Sequence, residues 1–402
     1  MKKLLLLGGA RYLLPVIREA KALGCHVITC DYLPDNIAHR YSDEYHNVSI
    51  TDLDATLKLA RELQVDGVMS FACDPGVVTA AYVAEQMGLP NVGPYESVCI
   101  LQDKGRFRTF LKEHGFNVPE ARSFDRIDDA LVQADTFRYP LIVKPVDNAG
   151  SKGVGRVDSP EALEDAIRYA LGFTRCGRFI LEDFIEKDGF SSDTDCFCVN
   201  GELRFASFDN QYFDRKANNP YAPDGYTWPS TIPAEKQKEL RRELQRLLHL
   251  LHMETSVYNV EVRLGTDGKA YLMEVSPRGG GNRLSEMLEY TTGTRLVHNA
   301  VRAALGLPVE EMHDPVYHGH WSIVILHAEQ AGAFRSLRIA EDARPSVVEE
   351  DLWVQPGDRV EAFSGANKAI GTLVMNWPSE EERDARMSDV SAWVQVEVDA
   401  DA

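Results

Sequence analysis

Two glutamates on one candidate hairpin carry the strongest signal for chemistry in this chain. They are Glu261 and Glu274, within YNVEVRLGTDGKAYLMEVSPRGGGNR at residues 258–283. Two segments in which polar and apolar residues alternate flank Asp267 and Gly268, a dipeptide that supplies the positive φ angles of a tight turn. A two-residue loop there places Glu261 directly opposite Glu274. The glutamates then share a face with Asn259, Arg263, Leu272 and Ser276, and the core face carries Val260, Val262, Leu264, Tyr271, Met273 and Val275.

The two facing carboxylates repel, because directly opposite residues of antiparallel strands have Cβ atoms about 4.5–5.5 Å apart. A shared proton, a neighbouring arginine or a divalent cation would offset this repulsion. Carboxylate oxygens suit Mg²⁺, which takes one or two protein carboxylates and completes its shell with water and nucleotide phosphates. Arg278 and the run Gly279–Gly281 follow at once, and offer a fixed cation and a backbone that a ligand can approach closely. A purely structural network of glutamate and arginine is the alternative.

The composition limits the classes of function. The chain has 402 residues, 44% of them hydrophobic and 26% charged, which predicts two or three globular domains with ample core. A net charge of −19 argues against a surface that follows nucleic-acid phosphates, although a local phosphate site is compatible with it. No apolar stretch approaches the roughly 18 residues of a membrane span. Seven cysteines without a CxxC motif predict a reduced, cytoplasmic protein.

The first 95 residues alternate between candidate strands and helices. Strands are predicted at 4–7, 27–30 and 67–71, and helices at 14–23, 54–63 and 76–87. This rhythm predicts the parallel sheet of a doubly wound domain. A dinucleotide site is disfavoured because the GxGxxG spacing is absent after the first strand. Gly9, Asp31 and the loop 72–75 end strands, where such sheets bind ligands, but each also reads as an ordinary turn.

A second candidate site lies near the middle of the chain. Residues 139–155, YPLIVKPVDNAGSKGVG, predict a strand that delivers Lys144 into a loop of small residues containing Lys152. A strand lysine and the backbone N–H groups of such a loop suit phosphate oxygens, although the Walker A spacing is absent. FILEDF, at residues 179–184, predicts a strand that ends in two carboxylates.

Taken in order, Lys104, VKPVDNAGSKG, LEDFI and VEVRL…DGKAYLMEVSPRGGG resemble the motifs of the ATP-grasp superfamily. The resemblance covers the whole chain, because the amino-terminal unit and the final segment with VQPGDRV are similar to those of its carboxylate–amine ligase branch. It implies an α/β and α+β fold, with a half-Rossmann N-terminal domain of parallel βαβ units at 1–95. An ATP-grasp domain at 96–312 and a small C-terminal domain at 313–402 would follow. The ATP-grasp domain would comprise a lid subdomain at about 120–187 and a metal-binding subdomain at about 188–312.

The resemblance also implies a mechanism. In ATP-grasp enzymes two subdomains clamp ATP, a carboxylate is phosphorylated to an acyl phosphate, and an amine displaces the phosphate. Carried over by motif, the phosphate contacts would be Lys104, Lys144 and the mobile lid residues Ser151, Lys152 and Gly153. The adenine hinge would comprise Glu182, Asp183, Phe184 and Ile185, with the backbone at Asp183 and Ile185 facing the base. Glu261 and Glu274 would hold one or two Mg²⁺ ions, for which Mn²⁺ could substitute, and Arg278 would stabilise the transferring phosphoryl group or acyl phosphate.

Two positions depart from the family pattern. The family often has asparagine two residues after the second metal glutamate, whereas this chain has Ser276, a shorter and weaker ligand. Asn259 is predicted to face Ser276 across the hairpin and to supply the missing oxygen, directly or through water. Many relatives also carry a glutamate for the ribose hydroxyls after the hinge, and Asp193 is the substitute predicted for it.

Residues 209–233 form a polar and aromatic insert, DNQYFDRKANNPYAPDGYTWPSTIP, which predicts a long loop of the kind that is usually functional or disordered. Within it, Arg215 and Lys216 are candidates for phosphate or substrate contacts, with solvated charges as the alternative. Beyond the glycines, Asn282, Arg283 and Glu286 are predicted to face the acceptor. The region from about residue 318 reads as a small lid domain without chemistry of its own.

The leading interpretation is an ATP-dependent ligase that joins a small carboxylate to an amine or amino acid, with a homodimer as the assembly that the family suggests. An enzyme that uses bicarbonate, similar to biotin carboxylase or carbamoyl-phosphate synthase, is the first alternative. A nucleotide-binding regulatory protein without turnover is the second. It is disfavoured because the lysines Lys104 and Lys144 and both metal glutamates are present. A dehydrogenase would need a nicotinamide fingerprint that the sequence lacks.

Overall fold

The computed structural model describes residues 1–214, 216–217 and 219–400. Arg215, one of the predicted substrate contacts, lies outside these residues. The chain divides into two compact units that interleave along the sequence. The first unit comprises residues 1–123, 194–207 and 234–315, and the second unit comprises residues 124–193, 208–233 and 316–402. Within the described residues, no helix has the length and apolar character needed to cross a bilayer.

The regular elements are numbered in chain order. The strands are β1 (Lys3–Leu7), β2 (His26–Cys30), β3 (Glu44–His46), β4 (Gly67–Ser70), β5 (Ala121–Phe124), β6 (Leu141–Pro145), β7 (Gly155–Val157), β8 (Phe179–Asp183), β9 (Ser192–Val199), β10 (Glu202–Ala206), β11 (Asn210–Phe213), β12 (Pro223–Trp228), β13 (Ser256–Leu264), β14 (Ala270–Ser276), β15 (His320–Leu326), β16 (Gly332–Ile339), β17 (Val347–Leu352), β18 (Arg359–Val360), β19 (Gly371–Trp377) and β20 (Val394–Ala400). The α-helices are α1 (Leu14–Ala22), α2 (Leu53–Leu63), α3 (Asp74–Met87), α4 (Tyr95–Gln102), α5 (Lys104–Glu113), α6 (Ile127–Gln133), α7 (Leu163–Leu171), α8 (Ala234–Leu250), α9 (Leu284–Thr292), α10 (Leu296–Ala304) and α11 (Glu380–Ser388).

The first unit opens with a parallel sheet in the order β3-β2-β1-β4. The run of leucines from Leu4 to Leu7 is completely buried in its central strand β1, as expected for a strand covered on both faces. Helix α3 follows β4 directly, so that Asp74 begins a helix at the carboxyl end of a strand. The predicted βαβ rhythm of the amino-terminal region is confirmed.

An antiparallel sheet in the order β10-β9-β13-β14 carries the rest of the first unit. Helix α8 packs against β14, and its leucine stripe is buried, as the 3.6-residue period predicts. The buried members of this stripe are Leu240, Leu244, Leu247 and Leu248. The candidate hairpin is therefore supported from behind by a helix with an apolar face.

The second unit is built from three sheets. Strands β8, β6 and β7 are antiparallel neighbours in that order, β11-β12-β15-β19-β17 form a five-stranded sheet, and β18-β16-β20 form a third. The structure thus has the predicted α/β and α+β character, a parallel amino-terminal sheet followed by antiparallel sheets. The predicted domain boundaries stay a prediction.

The polar insert at 209–233 is not the long loop that the sequence predicts. Strands β11 and β12 lie inside it, pair with each other, and join β15 in the five-stranded sheet. Polar residues at this density are unusual for strands, and pairing with the apolar β15 fixes their conformation. The prediction of a long loop was therefore wrong.

Candidate active site

The two glutamates are direct partners in the antiparallel pairing of β13 with β14. Glu261 lies opposite Glu274, and Asn259 lies opposite Ser276. The predicted register at the centre of the hairpin is therefore confirmed. The side chains of Glu261 and Glu274 are 30% and 40% exposed, so both carboxylates reach solvent.

The end of the hairpin differs from the prediction. Its loop spans residues 265–269 and is closed by a hydrogen bond from Gly265 N to Lys269 O. Between this longer loop and the glutamates, Met273 is an extra residue on β14, which shifts the pairing so that Val262 faces Leu272. Leu272 therefore shares the core side with Val262, and its predicted place beside the glutamates was wrong.

Helix α5 secures this irregular hairpin with two cations one turn apart. The Asp103 carboxylate accepts a hydrogen bond from Arg106 N at 2.9 Å and caps the helix start. Lys104, the first helical residue, places Nζ 3.0 Å from Glu274 Oε1. Arg108, four residues later, donates from Nη1 to the carbonyl oxygen of Met273 at 2.8 Å. One helix face thus contacts both the bulge and the Glu274 carboxylate.

The carboxylate pair fits a magnesium ion. Mg²⁺ takes one or two protein carboxylates and draws its remaining ligands from water and phosphate oxygens. Glu261 and Glu274 supply two such carboxylates, and Lys104 adds a cation suited to phosphate. The described residues contain no group of three or more His, Cys, Asp or Glu side chains that could hold a metal ion.

Arg278 is held by an aspartate that the sequence interpretation did not single out. Its Nε and Nη2 donate to Asp74 Oδ1 at 3.0 and 2.8 Å, and Nη2 donates to Oδ2 at 2.7 Å. The Ser276 hydroxyl also donates to Asp74 Oδ1 at 2.9 Å, and Gln102 Nε2 donates to Ser276 Oγ at 2.9 Å. Burial raises the pKa of Asp74, but the Arg278 charge and the hydrogen bonds outweigh it and keep that pKa below its usual range.

A second buried carboxylate, Asp195, lies beneath the glycine run. Its Oδ1 accepts from Gly280 N at 2.8 Å and from Asn259 Nδ2 at 3.3 Å, and its Oδ2 accepts from the Ser285 hydroxyl. Burial raises the pKa of Asp195 to about 6, against the hydrogen bonds and the Arg278 charge, which lower it. The Asn259 amide is thus oriented by Asp195, while Ser276 is oriented by Asp74.

The glycine run is a packing requirement as well as a candidate ligand approach. A Cβ on Gly279 would lie 2.2 Å from the Phe71 ring, and one on Gly280 would lie 2.6 Å from Leu284. Gly279 O also accepts a hydrogen bond from Ala72 N at 3.0 Å. The first two glycines therefore let the chain pass close to the end of β4, and the third has more room.

The turn after the glycines is strained. Asn282 and Arg283 have φ angles of 53° and 63°, a region that non-glycine residues rarely adopt. Arg283 is 9% exposed and pairs with Glu286 at 3.2 Å, and Asn282 Oδ1 accepts from the Tyr12 hydroxyl at 3.0 Å. The predicted acceptor-facing residues therefore lie together in the first unit, tied to the amino-terminal sheet region by Tyr12.

In the second unit, Lys144 and Glu182 form a buried ion pair. They are diagonal neighbours on antiparallel strands β6 and β8, and Nζ lies 2.9 Å from Oε2, with side chains 8% and 3% exposed. The pair thus brings the predicted phosphate lysine and the first hinge residue together on one sheet face.

The predicted lid loop is anchored within the second unit. Ser151, with φ 57°, donates from Oγ to Tyr221 O at 2.8 Å, and its own carbonyl accepts from Asn219 Nδ2 at 2.9 Å. Gly153 packs against Phe173, where a Cβ would approach within 3.0 Å. Lys152 lies between them, half-buried. The loop is thus connected to the polar insert.

The hinge residues continue from β8. Asp183 Oδ1 accepts from Arg138 N at 3.1 Å, and Phe184 N donates to Pro140 O at 3.0 Å. The guanidinium of Arg156 lies 4.6 Å from the centre of the Phe184 ring, and the half-buried Ile185 follows.

The remaining predicted residues of the second unit are Asp193 and Lys216. Asp193 Oδ2 accepts from the Tyr226 hydroxyl at 3.4 Å, and its backbone N–H donates to the buried Asp209. Lys216 has an exposed side chain, and its backbone N–H donates to Asp214 Oδ1 at 2.8 Å.

Sequence reasoning missed two charged residues in this site, Asp74 and Asp195. Asp74 lies in the loop 72–75, which the sequence analysis names as a possible ligand-binding strand end. A charged residue at the first position of the following helix was the signal that could have identified it. Asp195 is a carboxylate inside SDTDCFCV, where later residues are apolar. A charge in such a strand needs partners, but the sequence could not say that Gly280 and Ser285 provide them.

Comparisons with known proteins show which family the chain resembles. The model of the ATP-grasp domain matches residues 137–286, and that of the ATP-grasp N-terminal domain matches residues 17–91. A formate-dependent phosphoribosylglycinamide formyltransferase of Parasynechococcus marenigrum is 25% identical over 317 residues, which are 77% of this chain and 78% of that protein. A carbamoyl phosphate synthase large chain of Ralstonia nicotianae is 25% identical over 272 residues, which are 66% of this chain and only 23% of that protein.

A solved structure shares the fold across the full length. The L-amino acid ligase from Bacillus licheniformis aligns with a TM-score of 0.80 at 21% identity, and the alignment covers 99% of each chain.

Proposed function

The chain belongs to the ATP-grasp superfamily and is an ATP-dependent ligase, and from this premise we propose that it joins a carboxylate to an amine through an acyl phosphate. The observation that carries the proposal is the pairing of Glu261 with Glu274 beside Lys104. Two solvent-reaching carboxylates next to a lysine suit the charge of a metal–triphosphate complex.

Each unit contributes candidate nucleotide contacts. In the first unit, Lys104 would bind a phosphate and the two glutamates would hold Mg²⁺, which when bound neutralises phosphate charge. In the second unit, Lys144 and the loop 151–153 would bind phosphate oxygens. The hinge 182–185 would bind the adenine base, and Asp193 would bind the ribose.

The reaction has two balanced steps. A carboxylate oxygen of the first substrate attacks the γ-phosphorus of ATP, and the bond to the β,γ-bridging oxygen breaks to release ADP. The amine of the second substrate then attacks the acyl carbon, the C–O bond to phosphate breaks, and the amine nitrogen loses a proton. Phosphoryl transfer of this kind depends on positioning and charge neutralisation more than on covalent catalysis by the protein.

Arg278 is the proposed stabiliser of the acyl phosphate. Its guanidinium is oriented by Asp74, which fixes a cation that would otherwise have several rotamers. Arg283 and Lys216 are proposed as further substrate contacts, and Asn259 as a metal ligand that acts with Ser276.

The test is ADP and phosphate release with Mg·ATP over a panel of amino acids, dicarboxylates, sugar acids, formate and bicarbonate. Hydroxylamine is added to trap an acyl phosphate as a hydroxamate. We expect carboxylate-dependent ADP release with hydroxamate formation, both lost in Glu274→Gln. Glu113→Gln, a matched change at an exposed residue of α5, should leave both unchanged.

Four outcomes would count against the proposal or one of its parts. ADP release without hydroxamate in any reaction would contradict the acyl-phosphate intermediate. ADP release with bicarbonate alone would favour carboxylase-type chemistry. Retained turnover in Glu274→Gln would contradict the proposal that the glutamate pair holds the metal ion. Asn259→Ala with unchanged metal affinity would remove Asn259 from the metal site.

A further inference from the structure

A buried asparagine of the polar insert connects two other segments of the second unit. Asn219 is 8% exposed. Its amide nitrogen Nδ2 donates to Ser151 O at 2.9 Å and to Ser364 O at 3.2 Å, and its Oδ1 accepts from Tyr221 N at 3.0 Å. One side chain therefore joins the insert to the lid loop, residues 146–154 between β6 and β7, and to the C-terminal region, residues 316–400.

The partners of Asn219 require an amide at this position. A backbone carbonyl only accepts and a backbone N–H only donates, whereas a side-chain amide offers two N–H donors and one acceptor oxygen. Only one orientation of this amide satisfies both carbonyl oxygens and the Tyr221 N–H together. Aspartate has nearly the same shape but, when ionised, no donor. It would therefore place a charge against two carbonyl oxygens.

The backbone of Ser151 depends on contacts from this segment. Its φ of 57° lies in a region that non-glycine residues keep only where their surroundings hold them. The Ser151 carbonyl accepts from Asn219, and its hydroxyl donates to Tyr221 O at 2.8 Å. Residues 219–221, between β11 and β12, thus hold the lid loop at one of its strained positions.

The C-terminal region approaches the same loop. Ser364 and Gly365 lie between β18 and β19. A Cβ on Gly365 would lie 3.3 Å from Gly150 O, so the missing side chain lets the two loops come close together. The preceding residue, Phe363, is 1% exposed, and its N–H donates to Ala328 O at 3.0 Å. The segment that supports the lid loop is therefore itself anchored in the C-terminal region.

The lid loop contains residues 151–153, which are proposed above to bind phosphate oxygens of ATP. A loop that is ordered before binding binds more tightly, because the cost of ordering it is not subtracted from the binding free energy. We propose that Asn219 is a positioning residue for the nucleotide, which holds the lid loop in the conformation that receives the phosphates. This proposal rests on the proposed function. It adds a role in nucleotide binding for the C-terminal region, which the sequence predicts to have no chemistry of its own.

Hydrogen exchange tests the position of the loop without any ligand. In Asn219→Asp, backbone N–H groups of residues 146–154 should exchange at least about 5-fold faster, because two hydrogen bonds that hold the loop are lost. Peptides from β15 and β19, in the same unit, should exchange as in the wild type. This comparison separates release of the loop from unfolding of the whole unit.

Nucleotide binding tests the consequence for function. Isothermal titration calorimetry with Mg²⁺ and a non-hydrolysable ATP analogue should give a Kd at least about 5-fold higher for Asn219→Asp than for the wild type. In turnover, KM for ATP should rise at least about 5-fold while KM for the carboxylate stays within about 2-fold. A general structural defect would lower the active fraction, and with it kcat, without this difference between the two KM values.

The matched control is Asn367→Asp, the same change at an exposed residue of the C-terminal loop that contains Ser364. It should leave loop exchange and nucleotide affinity unchanged, because Asn367 does not hold the lid loop. Gly365→Val is a second probe, since its side chain would press against Gly150 O. It should also speed exchange of the lid loop and weaken nucleotide binding. Circular dichroism should show that all variants are folded.

Each other result would overturn a stated part. Unchanged exchange of residues 146–154 in Asn219→Asp would overturn the anchoring of the loop, and faster exchange with unchanged nucleotide affinity would overturn its role in binding. Equal effects in Asn367→Asp would assign the result to charge and overturn the proposal. Nucleotide binding that depends on Asn219 without hydroxamate formation would uphold the positioning role and reject the ligase step. A wild type that binds no nucleotide would reject both.

Discussion

Replacement of Asp74 by asparagine should destabilise the first unit and disable Arg278 in one step. Asp74 accepts three N–H contacts from Arg278 at 2.7–3.0 Å, and the two side chains are only 18% and 10% exposed. Breaking a buried ion pair by removing one partner costs about 3–5 kcal/mol. Because asparagine keeps one carbonyl acceptor, which retains about 1 kcal/mol, we expect a loss of about 2–4 kcal/mol.

The assay must distinguish the two units. All five tryptophans, at positions 228, 321, 353, 377 and 393, lie in the second unit, so tryptophan fluorescence does not report directly on the first. Urea unfolding should therefore be followed by hydrogen exchange of peptides from the first unit, alongside far-UV circular dichroism. A loss of about 2–4 kcal/mol lowers the melting temperature of a domain of this size by about 4–16 °C.

A double-mutant cycle decides whether the ion pair is the cause. Asp74→Asn, Arg278→Gln and the double variant should show a coupling energy above about 1 kcal/mol, and each single variant should lose hydroxamate formation. Asp54→Asn, at an exposed residue of α2, is the matched control. Additive losses in the cycle, or full ligase activity in Asp74→Asn, would refute the reasoning.

Three further changes test other parts of the structure. Gly279→Ala should lower the free energy of unfolding, measured in urea, by about 1–3 kcal/mol, because its Cβ would lie 2.2 Å from the Phe71 ring. An unchanged free energy of unfolding would contradict the close packing. The pKa of Asp195 is raised to about 6, so the folded state binds more protons than the unfolded state between about pH 4 and 6. Stability should fall by about 3 kcal/mol as pH rises through that window, and equal slopes for wild type and Asp195→Asn would contradict this. Lys144→Met should lower the free energy of unfolding by about 3–5 kcal/mol, because Glu182 stays charged and buried without its partner. The loss should be smaller when Glu182→Leu is added. An equal or larger loss in the double variant would contradict the ion pair as the cause.

The hairpin illustrates what the sequence could predict. Alternation and the Asp267-Gly268 turn placed Glu261 opposite Glu274, which the structure confirms. The predicted loop length was nevertheless wrong. A longer loop changes the register by one residue and the bulge at Met273 changes it back, so two errors cancelled at the glutamates. The Met273 carbonyl at the bulge accepts a hydrogen bond from Arg108, which is distant in sequence, and local patterns do not report such contacts.

The insert shows a different limit. Its polar residues and prolines predicted a loop, but pairing with the apolar strand β15 makes β11 and β12 part of a sheet. Tertiary context overrides local propensity here. Asp74 and Asp195 were missed for a related reason, because their partners come from segments far away in the chain.

The bulge at Met273 has a consequence for how this hairpin tolerates insertions and deletions. Residues of the loop tip, 265–269, can be exchanged without altering the glutamate pair, because the pairing nearer the site is set on the far side of the bulge. Met273 is the residue in excess between Leu272 and Glu274, so its deletion would remove the bulge and leave Val262 opposite Leu272 and Glu261 opposite Glu274 in a regular ladder. The deletion would instead remove the Met273 carbonyl oxygen that accepts a hydrogen bond from Arg108 Nη1. The extra residue thus connects the hairpin to helix α5 and does not set the pairing of the two glutamates.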